Sequence, residues 1–366
     1  MTKPFKVIVW GPGHMGAVAI FEALQSPSME LVGVRAYSES KLGKDVGELL
    51  GVPPTGIIAT DDVRALLKLD CDCVIYVAHD EGTYHTDDEI IQILEAGKNI
   101  VTTLPYTSMD KFREAGTAAR FEAACLKGGA TLYADGIDPN LVPGRLLLAL
   151  TNACADVTTI KLEENWDCSE AEPHKLQYIG FGATPEEANK IEVSKTLALN
   201  FLNGVVYRVG EMIGVTYDRV VASHDFVPAA EDIHKPFLVK AGTVGRITHR
   251  VEGFVDNLSA APLFVIEAHW FIGDTMLAEG VKPGQHYVGT IEGRPSVKMT
   301  LDFSVSNKTD EKFFMTGDIK SEPIYIASVM PIVQAIPSVC DAEPGLMPSI
   351  GPALHWKPGL LGPSKR

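Results

Sequence analysis

Short apolar runs alternate with helical stretches through the first part of the chain. Residues 6–10 (Lys-Val-Ile-Val-Trp) are rich in β-branched side chains, the pattern of a short buried strand. Residues 15–24 carry helical periodicity, and 30–35 read as a second strand. Further strands are expected at 73–78, 99–104 and 130–134, with helices at 87–96 and 109–126. Gly97 stands where the first of these helices should stop. Strands and helices at this spacing predict βαβ units, and therefore a parallel sheet covered on both faces.

Beyond about residue 152 the pattern changes. In 157–166, Val157, Ile160 and Leu162 alternate with Thr159, Lys161 and Glu163, as in a strand with one wet face. A helix is expected at 185–200, then long strands at 246–255, 263–272, 287–292 and 296–305. Such neighbours predict a mostly antiparallel sheet open on one face. Residues 322–335 read as helical, and 341–352 are rich in Pro and Gly.

The turn after the first strand is Gly11-Pro12-Gly13-His14-Met15-Gly16, a G-x-G-x-x-G between a strand and a helix. In that setting the first Gly permits the tight turn, the second lets backbone approach a pyrophosphate, and the third allows close helix–strand packing. The helix N-terminus offers its unpaired N–H groups to the phosphates. A dinucleotide is the implied ligand. The second strand ends in Arg35, followed by Tyr37, Ser38 and Lys41, where NAD sites usually place Asp or Glu. A guanidinium binds a 2′-phosphate by charge-assisted hydrogen bonds, so NADP(H) is preferred and NAD(H) possible. Gly11, Pro12, Gly13, His14, Met15, Gly16, Arg35, Ser38, Ala78, His79 and Thr103 form the expected cofactor site.

The predicted architecture is α/β: an N-terminal Rossmann doubly wound parallel sheet plus an α+β second domain with a mostly antiparallel sheet. The expected boundaries are 1–152 for NAD(P) binding, 153–320 for substrate binding and oligomerisation, and 321–366 for a C-terminal helix and tail returning to the first domain. A sheet open on one face needs a cover, and a homodimer is the expected solution.

Composition narrows the function. The formal net charge of −15, from 32 Lys and Arg against 47 Asp and Glu, argues against a nucleic-acid partner. No run of eighteen apolar residues and no signal-peptide pattern stands out, so the expectation is a cytoplasmic protein without a membrane span. Cys71, Cys73, Cys125, Cys154, Cys168 and Cys340 are scattered, and His269 and His286 lack ligand spacing, so no metal is expected.

Several segments together resemble a known family. They are the Gly11–Gly16 turn, residues 74–79 (Val-Ile-Tyr-Val-Ala-His), residues 96–103 (Ala-Gly-Lys-Asn-Ile-Val-Thr-Thr) and residues 136–140 (Gly-Ile-Asp-Pro-Asn), the last leading into an expected helix at 141–150. The pattern is similar to the dihydrodipicolinate reductase-like superfamily, and within it to 2,4-diaminopentanoate dehydrogenases and native amine dehydrogenases. The resemblance implies hydride transfer with NAD(P)H at a C=N bond or the matching amine. Two departures stand out. The Asp-Ala-Pro-Ser-Gly-Thr motif of the dihydrodipicolinate reductases is absent, and Glu163-Glu164-Asn165-Trp166-Asp167 occupies the corresponding region. The amine dehydrogenases place a Glu shortly after the Thr-Thr pair, whereas Thr102-Thr103 is followed here by Leu104-Pro105-Tyr106.

Hydride transfer requires positioning, dry walls and one proton donor or acceptor from the protein. The catalytic candidates are Tyr106, at the position of the family's Glu, with Glu164 and His79. Trp166, His174 and Tyr178 are the substrate candidates. The leading expectation is an amine dehydrogenase or imine reductase acting on a small molecule. The alternatives are an NADPH-dependent carbonyl or C=C reductase and a non-catalytic NADP(H)-binding sensor.

Overall fold

The computed structural model describes residues 3–80, 82–278, 280–304 and 323–348, together with the backbone of two short strands, Met315–Thr316 and Ile319–Lys320. The chain divides into two compact units. The first comprises 1–80, 84–141 and 303–350; the second is formed chiefly by 142–302.

In the first unit, β1 (Phe5–Trp10), α1 (His14–Gln25) and β2 (Met29–Arg35) open a parallel sheet. The short helices α2 (Val46–Leu50) and α3 (Val63–Leu67) flank β3 (Ala59–Thr60). Then come β4 (Cys73–Tyr76), α4 (Asp87–Glu95), β5 (Asn99–Thr102), α5 (Thr117–Gly128) and β6 (Thr131–Ala134). The order across the sheet is Gly345–Leu346, β6, β5, β4, β1, β2, β3, all parallel. The winding reverses between β1 and β4, where Trp10 pairs with Tyr76. Ligands of such sheets bind at this switch point, beyond the carboxyl ends of the strands.

The core beneath α1 is built from Val7, Val9, Ala17, Val18, Ile20 and Ile75. Small residues on α1 let the helix lie close to the sheet. The helix Pro323–Cys340 packs against α1 and buries Val329, Ile332, Val333, Ile336 and Val339 in the same core. This helix of 18 residues, with mean hydropathy 1.5, is long and apolar enough to cross a membrane by length and composition, a test that a core helix also passes. Its buried face packs against α1 and accounts for part of that apolar character.

The second unit holds a six-stranded sheet. Its strands are β7 (Val157–Asp167), β8 (Arg219–Pro228), β9 (Val244–Phe254), β10 (Phe264–Phe271), β11 (His286–Gly293) and β12 (Val297–Leu301). The order is β12-β11-β7-β10-β9-β8, with only β7 and β10 parallel. One face carries a charged lattice in which the Lys161 Nζ pairs with Glu163 and Glu267 at 3.0 and 2.9 Å, and Arg250 pairs with Glu252 and Glu267. Glu163, Glu267 and His269 are close enough together to hold a metal ion, a grouping their sequence spacing does not reveal. Lys161 pairs with both carboxylates, and Arg250 with Glu267.

Several element boundaries differ from the sequence pattern. The expected helix at 109–126 starts at Thr117, because Gly116 at φ +88° caps it and Met109–Lys111 forms a separate 3-10 turn. The expected helix at 185–200 is two elements: Pro185–Ala188, begun by a Thr184 capping box, and the long helix Glu192–Ile213. In place of a plain helix at 141–150, the widely wound segment Ile137–Leu147 contains Pro143. The edge strand β8 went unpredicted, since its His224 and Asp225 blur the alternation. The expected strand at 296–305 ends at Leu301, and Val305 lies outside the described residues.

Candidate active site

The glycine turn is shaped by backbone sterics. Gly11 has φ +97°, and a Cβ there would lie 2.7 Å from the Ala78 Cα. A Cβ on Gly16 would lie 2.1 Å from the Gly11 carbonyl oxygen. Neither position tolerates a side chain. Gly13 differs: a Cβ there meets nothing within 4 Å, so the space beside the start of α1 is open. Gly13 caps α1 without a side-chain hydrogen bond, and the first turn contains no acidic residue. The helix end therefore keeps its positive partial charge for an anion. These features fit a dinucleotide pyrophosphate.

Around the turn, the expected cofactor residues occupy one end of the sheet. Thr103, after β5, places its hydroxyl 3.5 Å from the Met15 sulfur. The His14 ring stacks on Tyr325 of the C-terminal helix, with centroids 5.2 Å apart. Lys41 reaches back to donate to the Pro12 carbonyl at 2.5 Å, bringing its ammonium to the glycine turn. Arg35 is not a solvated strand end: its guanidinium lies 4.3 Å over the Tyr37 ring, and its side chain is only 12% exposed. Glu89, on the first turn of α4, stands 3.9 Å from the Arg35 Nε and accepts from the Tyr76 hydroxyl at 2.7 Å. The sequence reading missed Glu89. Three successive acids (Asp87, Asp88, Glu89) read there simply as a favourable helix start.

The carboxyl ends of β4 and β5 carry a buried polar chain. The Tyr106 hydroxyl donates to Asp87 at 2.8 Å and lies 2.8 Å from the Thr86 hydroxyl, which in turn donates to Asp80. Asp80, Thr86, Asp87 and Tyr106 are all buried. Arg113 pairs with Asp87 at 2.5 Å and stacks 3.7 Å over the Tyr84 ring. Burial, with the Asp87 charge adding to it, pushes the Tyr106 phenol well above the usual tyrosine range. Tyr106 is thus a committed donor inside a network, whereas His79 lies exposed after β4. Asp87 and Arg113 were absent from the sequence-based candidates, and only the fold joins them to Tyr106.

In the second unit, Glu164 lies on β7 with the Tyr287 hydroxyl 3.4 Å away. The strand register sets Tyr287, Glu164, Ala268, His249 and His224 in one row across five strands. The two histidines meet Nδ1 to Nδ1 at 2.7 Å. Burial, reinforced by His224, lowers the His249 pKa to about 3. Trp166 shares the face of Glu164 and packs on a core containing Phe181, Ile247 and Phe271. His174 and Tyr178 are exposed on the short helix Pro173–Tyr178, with His174 3.4 Å from Glu172. Trp166 therefore contributes to packing, on the same core that receives Leu176 of that short helix.

Comparison with known proteins agrees with this anatomy. Residues 5–109 match the model of the dihydrodipicolinate reductase N-terminus. An amine dehydrogenase of Streptomyces virginiae is 28% identical, the match covering 97% of this chain and 98% of that protein. A 2,4-diaminopentanoate dehydrogenase of Acetoanaerobium sticklandii is 23% identical, covering 93% and 91%. The solved amine dehydrogenase of Mycobacterium smegmatis superposes with a TM-score of 0.71 at 20% identity, over 97% of this chain and 98% of that one. With its glycine turn at the switch point of a parallel sheet, the chain carries a dihydrodipicolinate reductase N-terminal domain at residues 5–109, is similar over nearly its full length to the two dehydrogenases, and is an NAD(P)-dependent oxidoreductase.

Proposed function

We propose that this protein transfers hydride to or from the C=N centre of a small imine or amine, preferring NADP(H) and accepting NAD(H). The observation that carries the reading is the near full-length similarity to an amine dehydrogenase, joined to a glycine turn sterically built for a pyrophosphate. Gly11–Gly16 would hold the pyrophosphate, and Arg35, Ser38 and Lys41 the 2′-phosphate. Ala78, His79 and Thr103 would line the path toward the nicotinamide. The bound cofactor supplies the hydride, and the protein has to place one proton donor or acceptor at the reacting nitrogen.

Glu164 and His79 are the proposed acid–base groups. Tyr106 takes a positioning role, because its proton is engaged by a buried carboxylate. His174 and Tyr178 are proposed to meet the substrate, and a homodimer is the proposed assembly. One observation favours a second reading, reduction of a carbonyl or C=C bond: Leu104-Pro105-Tyr106 follows the Thr-Thr pair without a carboxylate.

The test is NADPH oxidation by the purified protein over a panel of small ketones and aldehydes, each with and without ammonium. Ammonium-dependent oxidation is expected; oxidation indifferent to ammonium would replace the first reading with the second. E164Q is expected to lower kcat by about 100-fold while leaving the nucleotide Kd unchanged.

A further inference from the structure

We propose that Glu89 is a specificity-determining residue for the adenosine end of the cofactor, holding Arg35 partly neutralised so that the site admits NAD(H) alongside NADP(H). The inference rests on the cofactor role given to Arg35 above.

Four side chains from three neighbouring segments converge here. The Glu89 carboxylate accepts from the Tyr37 and Tyr76 hydroxyls and sits 3.9 Å from the Arg35 Nε. Arg35 is held by its own contacts: one terminal nitrogen donates to the Ala36 carbonyl, and the guanidinium plane rests over Tyr37. Its Nε is buried without a hydrogen-bond partner, so the pairing with Glu89 is electrostatic and incomplete. Two phenols fix the carboxylate near the cation without letting it close on it. Desolvation, with Glu89 beside them, raises both phenols above the usual tyrosine range, although the Tyr37 ring is half exposed, so they remain donors.

The consequence for the ligand follows from charge. A 2′-phosphate brings a charge of about −1.5 to −2. An isolated Arg35 would attract that charge fully and strongly favour NADP(H). With Glu89 in place, the phosphate must share the guanidinium with a carboxylate that cannot easily move away. The 2′-hydroxyl of NAD(H) carries no charge and meets no repulsion. Glu89 thus narrows the discrimination that Arg35 alone would impose. It supplies from α4 the acid that NAD sites usually carry at the end of the second strand.

The test is fluorescence titration of full-length protein with NADPH and NADH. E89Q keeps an oxygen acceptor for the tyrosines and removes the charge. It is expected to tighten NADPH binding by about tenfold while NADH changes by less than about threefold. E89A is the second variant and is expected to move the ratio the same way, whereas E89D, which keeps the charge, should leave it near wild type. An unchanged NADPH-to-NADH ratio in E89Q and E89A would overturn the proposal, as would an equal rise in E89D. Failure of the wild type to bind either nucleotide would instead overturn the underlying cofactor reading, and this proposal with it.

Discussion

The three glycines of the turn make separable demands. Gly16 is in contact with the Gly11 carbonyl, so a methyl group at 2.1 Å has nowhere to go. G16A is expected to lose cooperative thermal unfolding or to melt far below wild type. Gly13 faces open space, and G13A should melt within about 2 °C of wild type. The same methyl group would occupy the approach of the pyrophosphate, and NADPH binding should weaken by at least about tenfold. A melting curve beside a nucleotide titration separates the two; a G13A protein that binds normally would remove the turn from the phosphate site. The sequence motif assigned these roles from context, but only the coordinates distinguish the glycine that packs from the glycine that leaves room.

Among the elements, α4 links the most chemistry. Its first turn contributes Asp87 to the Tyr106 network and Glu89 to the Arg35 cluster. Y106F removes the donor to a buried carboxylate oxygen while Arg113 remains on the other, and is expected to cost about 1–3 kcal/mol in urea unfolding. If the hydroxyl served only in chemistry, that stability would not change. The parallel strands and α1 were legible from sequence because each carries a local signal, a β-branched run or a helical period. The strand β8 was not, since an edge strand pairs on one side only and its polar positions interrupt the alternation. Nor was α4's role legible. A first-turn acid reads the same in sequence whether it faces water or an arginine brought in from β2. The C-terminal pairing of Leu346 with Leu132 depends on two residues, too few to form a pattern.

For the molecule as a whole, acid stability is set by groups whose folded pKa lies below the unfolded one. His249, lowered to about 3 by burial, resists protonation in the fold while the unfolded chain takes up a proton below about 6.5. Burial would raise Glu267, but His269 and Lys161 outweigh it and hold it at about 2. Both contributions are intact above the unfolded pKa values and are lost as pH falls, His249 from about 6.5 and Glu267 from about 4.5. The melting temperature is therefore expected to decline below pH 6.5, and H249F should flatten that decline between about pH 6.5 and 4.5. An identical slope in the variant would exclude His249 as the source. The return of the helix Pro323–Cys340 onto α1 bears on how the protein is made. Synthesis runs from the N-terminus, so the apolar groove over Ala17 and Ile20 leaves the ribosome before the helix that fills it has been translated. The nucleotide domain thus spends the whole translation of the second unit with a sticky seam exposed, a window in which chaperone capture or early cofactor loading would decide the yield of active enzyme.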